Sequence, residues 1–145
     1  MRIWDIPVNQ LCTKHLLGEH RELHGLWNIL TKNKSGYSRH PETLRWKGKL
    51  AALYLRHQEL VIEMKKRNYR HTSDLNKAFA TGLSFQEHFV NSYDEQLKIL
   101  KDKGCKCTIT SPARSDRSTQ IWTIISPTAR KLFQTRIKVI LNVTM

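Results

Sequence analysis

The chain has 145 residues, enough for one domain with one modest core, and 25 Lys+Arg against 12 Asp+Glu give it a formal charge of +13. That surplus points to an anionic partner: nucleic acid first, a membrane surface or an acidic protein second, with bare solubility as the alternative. No apolar run approaches the ~18 residues of a membrane span, "MRIWDIPVNQ" lacks the apolar stretch of a secretory signal, and three cysteines (Cys12, Cys105, Cys107) fit reduced thiols in a cytosol better than disulfides.

Pro7 suits a first helical turn with Asp5 or Ile6 near the cap, and a helix is predicted from there to about Thr31. Leu16, Leu23, Trp27 and Leu30 make its apolar stripe, which Leu17 and Leu26 widen. Gly36 and Pro41 mark "KNKSGYSRHPE" as a loop carrying Lys32, Lys34, Arg39 and His40 around Tyr37. A second helix is predicted from about Thr43 to Asn68, with Leu50, Leu53, Leu60 and Met64 on one side and Ala51, Leu55, Val61 and Ile62 beside them. Its basic end "KKRNYRH" suits a helix C-terminus. Thr72-Ser73-Asp74 offers a cap for a shorter helical stretch. Ser84 with Glu87 resembles a capping box for a helix ending near Lys103, with Gly104 as its C-cap. Beyond Gly104, "CKCTIT" and "TQIWTIIS" look extended, "SPARSDRS" looks like a basic loop, and "SPTARKLFQTRIKVILNV" fits helix or strand. The expected fold is mainly α: a single compact domain over 1–145 with about three to four helices and an irregular, partly extended C-terminal region.

The first helix has chemistry along one side. At 100° per residue His15 and Glu22 fall within about 20° of each other, and Glu19 lies about 40° from His15. This polar stripe runs beside the apolar one, so Glu22 is expected near the core boundary, where desolvation raises a carboxyl pKa unless a cation answers it. Arg21 points about 100° away. The plainer alternative is a solvated glutamate in ion pairs. No metal site is expected: "CKC" alone offers too few ligands, and His20 and His24 have "REL" between them rather than the metalloprotease pattern. Neither a Gly-rich phosphate cradle nor a nucleophile-elbow serine is present. The α-amine is the remaining nucleophile. Its reference pKa of roughly 7.7–8, against about 10.4 for lysine, leaves roughly a tenth of it neutral at pH 7. Arg2 and the basic surroundings favour the neutral form further, and such an amine forms a Schiff base at a sugar carbon. The alternative is a frayed terminus.

"MRI" at the start, "HLLGEHREL" at 15–23, "GYSRHP" at 36–41 and "RHQELVIEMKKRNY" at 56–69 together resemble the endonuclease V-type pyrimidine dimer DNA glycosylases, in order and at matching spacing. The resemblance covers about half the chain and does not extend past Asp74. It implies a DNA repair enzyme, both glycosylase and abasic-site lyase, with no cofactor. The N-terminal amine, here on Met1, would attack C1′ of the 5′ nucleotide of a cyclobutane pyrimidine dimer; the base leaves, an imine forms, and β-elimination nicks the strand. Glu22 would handle protons beside the sugar. Arg2, Arg21 and His15 would contact DNA around the lesion, and His57 would line the pocket that takes the base flipped out opposite the dimer.

The chain departs from the pattern in three places. Met1 stands where phage-type members expose a threonine, Gly25 where they carry an arginine whose phosphate contact Arg39 could replace, and their aromatic tail has no match; Trp122 is a candidate substitute, with a core tryptophan the favoured reading. Lys34, Arg39, His40 and Arg45, interleaved with Tyr37 and Trp46, are the expected DNA-binding loop. The expected partner is damaged double-stranded DNA, bound by a monomer in the cytoplasm and at the nucleoid during repair. Two competing readings are a non-catalytic basic nucleic-acid module and a glycosylase of the same mechanism for another damaged base.

Overall fold

The computed structural model describes residues 1–108. Expectations for "TQIWTIIS", "SPARSDRS", the last helix-or-strand segment and Trp122 fall outside that range, as does part of the span expected to form one domain. Among the described residues there are four α-helices, α1 (Thr13–Thr31), α2 (Pro41–Arg45), α3 (Leu50–Lys66) and α4 (Tyr93–Asp102), with short 3₁₀ turns at Val8–Gln10 and Lys77–Phe79. Two residues, Lys49 and Gly82, meet in an isolated antiparallel bridge, and no strand forms among the described residues. The mainly α expectation is met. No helix among the described residues is long and apolar enough to cross a membrane.

The first expected helix is shorter than its sequence suggested. Pro7 opens only a 3₁₀ turn, and Leu11 and Cys12 then run extended before α1 begins. The break is held in place, because Arg67 donates from Nη1 to the Leu11 carbonyl at 2.7 Å. α1 buries Leu16, Leu23, Leu26 and Trp27, as its apolar stripe required, and adds Glu19. α1 packs mainly against α3, which buries Ala52, Leu53, His57, Leu60, Val61 and Met64. Ile62, expected to broaden that face, points outward.

The expected second helix divides in two. His40 caps α2, its Nδ1 accepting from the Glu42 N–H at 3.1 Å with Pro41 following. Gly48 then takes φ +72°, a conformation that breaks the helix. α3 starts without a side-chain cap, so its first amides need other acceptors. The loop at 81–83 supplies them: Ala51 donates to the Thr81 carbonyl at 2.9 Å and Ala52 to that of Leu83 at 3.0 Å. Gly82, at φ +81°, lies so close to Gly48 that a Cβ there would fall on the Gly48 carbonyl oxygen.

The two later caps also move. The capping box forms at Ser92 with Glu95 rather than at Ser84 with Glu87, and Asn76 rather than the Thr72–Asp74 run caps the 3₁₀ turn. Gly104 follows α4 at φ +58°, as a C-terminal glycine should.

Candidate functional site

The chain begins as an extended segment threaded into the core, with Ile3, Trp4 and Ile6 all buried. An extended strand with no sheet partner leaves its carbonyls unsatisfied, and three internal arginines meet them. Arg45 donates from Nη2 to the Ile3 carbonyl at 2.8 Å. Arg56 donates to that of Ile6 at 2.9 Å, and Arg67 to that of Leu11. Gln96 of α4 closes the side with a two-way pair: it accepts from the Asp5 amide at 2.9 Å and donates to the Asp5 carboxylate at 2.9 Å. Met1 packs against this core, and its sulfur accepts from the Thr43 hydroxyl at 3.8 Å.

This threading brings the Met1 amine to 4.0 Å from Glu22 Oε2. The two groups singled out from sequence therefore share one place. Glu22 is not the desolvated carboxylate expected of it, however; its side chain is 44 % exposed. The desolvated one is Glu19, one turn earlier and fully buried. Burial pushes the Glu19 carboxyl above its usual range, and Arg56 pulls the other way. Burial also opposes charge on Arg56, but Glu19 and Glu59 together hold its pKa up. The geometry decides for a charged pair: Arg56 forks onto Glu19 at 2.7 and 3.3 Å.

The expected DNA contacts separate into two groups. Arg21, Lys34 and Arg39 are exposed, and Arg2 is half-exposed with its guanidinium 5.1 Å over the Trp4 ring. Ser35, Tyr37, Ser38, Arg39 and His40 line a shallow open depression, although His40 spends its Nδ1 as the α2 cap. Arg45 requires a correction. It is buried, and its guanidinium is used up on Asp5 at 3.0 Å, Glu42 at 2.7 Å and the Ile3 and His88 carbonyls. A cation so fully partnered inside the protein holds the N-terminal segment and cannot reach a phosphate.

His57 and His15 also sit differently from expectation. His57 is fully buried rather than lining an open pocket. Its Nε2 lies 3.2 Å from His24 Nε2, which is 3.3 Å from His20 Nε2, and His71 joins them. Burial first, then the neighbouring rings, pushes His20 and His57 down to about 4. His15 turns its Nδ1 toward Cys12 Sγ at 3.2 Å and Cys107 Sγ at 3.4 Å. The "CKC" set aside as too few ligands thus meets Cys12 and His15 in space. His20-x-x-x-His24 was weighed as a metal pair and set aside, and Cys12, Cys105 and His71 drew no site assignment; the spacing Cys12-x-x-His15 was a further signal for the cysteine group.

A family model described as pyrimidine dimer DNA glycosylase matches residues 1–77. No curated protein and no solved structure matches the chain.

Proposed function

We propose that this chain, which belongs to the pyrimidine dimer DNA glycosylase family, attacks its substrate through a free amine on Met1 and completes the cycle as an abasic-site lyase. The observation that carries this reading is the 4.0 Å approach of that amine to Glu22, on a segment that three arginines and Gln96 hold by its backbone.

The neutral amine donates its lone pair to C1′ of the 5′ nucleotide of a cyclobutane pyrimidine dimer. The C1′–N bond breaks and the base leaves with that electron pair. Loss of an amine proton and opening of the sugar ring give an imine between Met1 and C1′. A base then removes a C2′ proton, the new double bond forms, and the 3′ phosphate departs. Glu22 would take the amine proton and return it at the sugar oxygen. Its 4.0 Å approach to the amine and its access to water support that role over the buried, forked Glu19. Arg2 and Arg21 adjoin Met1 and Glu22 in the chain, and with Lys34 and Arg39 they would supply cations for phosphates on either side.

Borohydride trapping tests the reading. Dimer-containing or abasic duplex, incubated with protein whose Met1 amine is free by mass spectrometry, should yield a covalent adduct that maps to residue 1. A protein that binds these duplexes and nicks none of them, with no adduct, would be a basic binding module. An adduct on abasic DNA alone, with release of a different base from a lesion panel, would keep the amine chemistry and replace the dimer as substrate.

A further inference from the structure

Among the described residues, two groups of metal-ligating side chains lie outside the amine–carboxylate pair. The first is assembled by two chain segments more than ninety residues apart. Cys12 is the extended residue that precedes α1, and His15 sits in its first turn. Cys105 and Cys107 follow the left-handed Gly104 that ends α4. Backbone bonds hold the segments side by side: Thr108 donates to the Gln10 carbonyl at 2.9 Å, and the Cys12 amide donates to Cys107 Sγ at 3.2 Å. We propose that Cys12, His15, Cys105 and Cys107 form a structural zinc site that ties the start of α1 to the end of α4.

Four arguments support this assignment. The three sulfurs and the His15 ring nitrogen all lie within 4.8 Å of one another. A tetrahedral zinc, with bonds of about 2.3 Å to sulfur and 2.0 Å to nitrogen, separates its ligands by about 3.5–3.8 Å; the two sulfur–nitrogen approaches here are 3.2 and 3.4 Å. The backbone N–H aimed at Cys107 Sγ is the kind of outer bond that orients a thiolate ligand. All three cysteines are free, and a disulfide between any two would leave the third sulfur and the imidazole without a role. Three sulfurs and one nitrogen favour zinc over the harder divalent ions. Four protein ligands leave no open position, which makes the site structural rather than catalytic.

A second, separate observation concerns the histidines. His20 and His24 stand one turn apart on α1, His57 comes from α3, and His71 from the segment after it. Their ligand nitrogens also lie within 4.8 Å of one another. The Nε2–Nε2 separations of 3.3 and 3.2 Å match the roughly 3.3 Å edge of a tetrahedron with bonds of about 2.0 Å. The geometry points to a second divalent-metal site made only of imidazoles, for which zinc is a fitting ion. A single N–H···N bond is the competing account, because His24 Nε2, with one lone pair or one proton, can bond to only one of its two neighbours.

The full-length protein without a histidine tag, produced in zinc-supplemented medium and freed of loose metal by gel filtration, decides between these. Elemental analysis should find two zinc ions per chain. Replacing zinc with cobalt should produce the visible bands of tetrahedral cobalt together with a sulfur-to-cobalt charge-transfer band. The Cys12→Ser/Cys107→Ser variant should lose that band and one equivalent of metal; His20→Asn/His71→Asn should lose one equivalent and keep the band. One zinc with the band supports the cysteine site and overturns the histidine one; one zinc without it does the reverse. A wild-type chain that carries no zinc, takes up no cobalt and presents all three thiols to a thiol reagent at unchanged rates with and without added zinc overturns both. These readouts come from the wild-type protein, so they stand even if a variant fails to fold.

Discussion

Glu19 and Glu22 stand three residues apart on one helix in opposite surroundings. Glu19 is fully buried and forked by Arg56, while Glu22 is 44 % exposed with its nearest cation an amine at 4.0 Å. A carboxylate closed off from water with a rigid partner is part of the fold, because moving its charge leaves the partner unpaired in a dry place. A carboxylate left partly open to water, 4.0 Å from an amine, is not tied into the fold in that way. The cations divide in the same way: Arg45, Arg56 and Arg67 serve the N-terminal carbonyls, while Arg21, Lys34 and Arg39 face outward. On this protein the charges that build the site and those that would serve the reaction are different residues.

The sharpest attempt to break that division is to block the amine. Acetylation of Met1, or a tag left in front of it, should lower nicking of abasic duplex by about 10³-fold or more, since it removes the lone pair proposed to form the imine. Salt-sensitive DNA binding should survive, because the outward cations are untouched. Gel-based nicking and binding assays on the same capped sample measure both, and full turnover would remove Met1 from the mechanism.

Next in size is the pair of glutamate variants read against each other. Glu22→Gln should cost about 10²–10⁴ in the chemical step while moving stability by no more than about 1 kcal/mol, as for a partly exposed ion pair. Glu19→Gln should do the opposite. Leaving Arg56 with Glu59 as its remaining carboxylate should cost up to about 3–5 kcal/mol of stability, with turnover per folded molecule near that of the parent. Denaturant melts beside single-turnover kinetics give both numbers for both variants. If Glu19→Gln loses chemistry at full stability, or Glu22→Gln unfolds, the two residues have been assigned the wrong way round.

How much of this could be read beforehand depends on the range of the interaction. The apolar stripe of α1 was legible at Leu16, Leu23, Leu26 and Trp27, because burial on a helix follows its 3.6-residue period. Glu19 was legible only as a neighbour of Glu22: periodicity put both near the boundary, but the side facing Arg56 is decided by α3, thirty-seven residues away. Arg45 looked like a DNA contact because composition counts cations as surface charge, and only the folded chain shows the bare Ile3 carbonyl it serves. The break at Gly48 could not be placed either, because a glycine within a helical pattern is tolerated until a neighbour such as Gly82 packs against it. The cysteine and histidine groups were set aside for the same reason: each half alone offers too few ligands, and the halves are distant in sequence. The pairing of Met1 with Glu22 came from the family pattern, not from any local rule.

The smallest expected effect probes the outward cations, where the comparison is most open to refinement. Lys34→Ala and Arg39→Ala each remove an exposed charge next to the depression lined by Tyr37 and His40. Each should weaken duplex binding about equally for damaged and undamaged DNA and lower the slope of log affinity against log salt by about one. Arg45→Met is the informative contrast, because a buried cation bonded to Asp5 and Glu42 should change stability and leave that slope alone. Salt titrations of the three variants separate the groups: a slope unchanged in Lys34→Ala and Arg39→Ala but reduced in Arg45→Met would mean that the duplex opens the N-terminal clamp on binding, and that a charge now counted with the fold moves to the DNA.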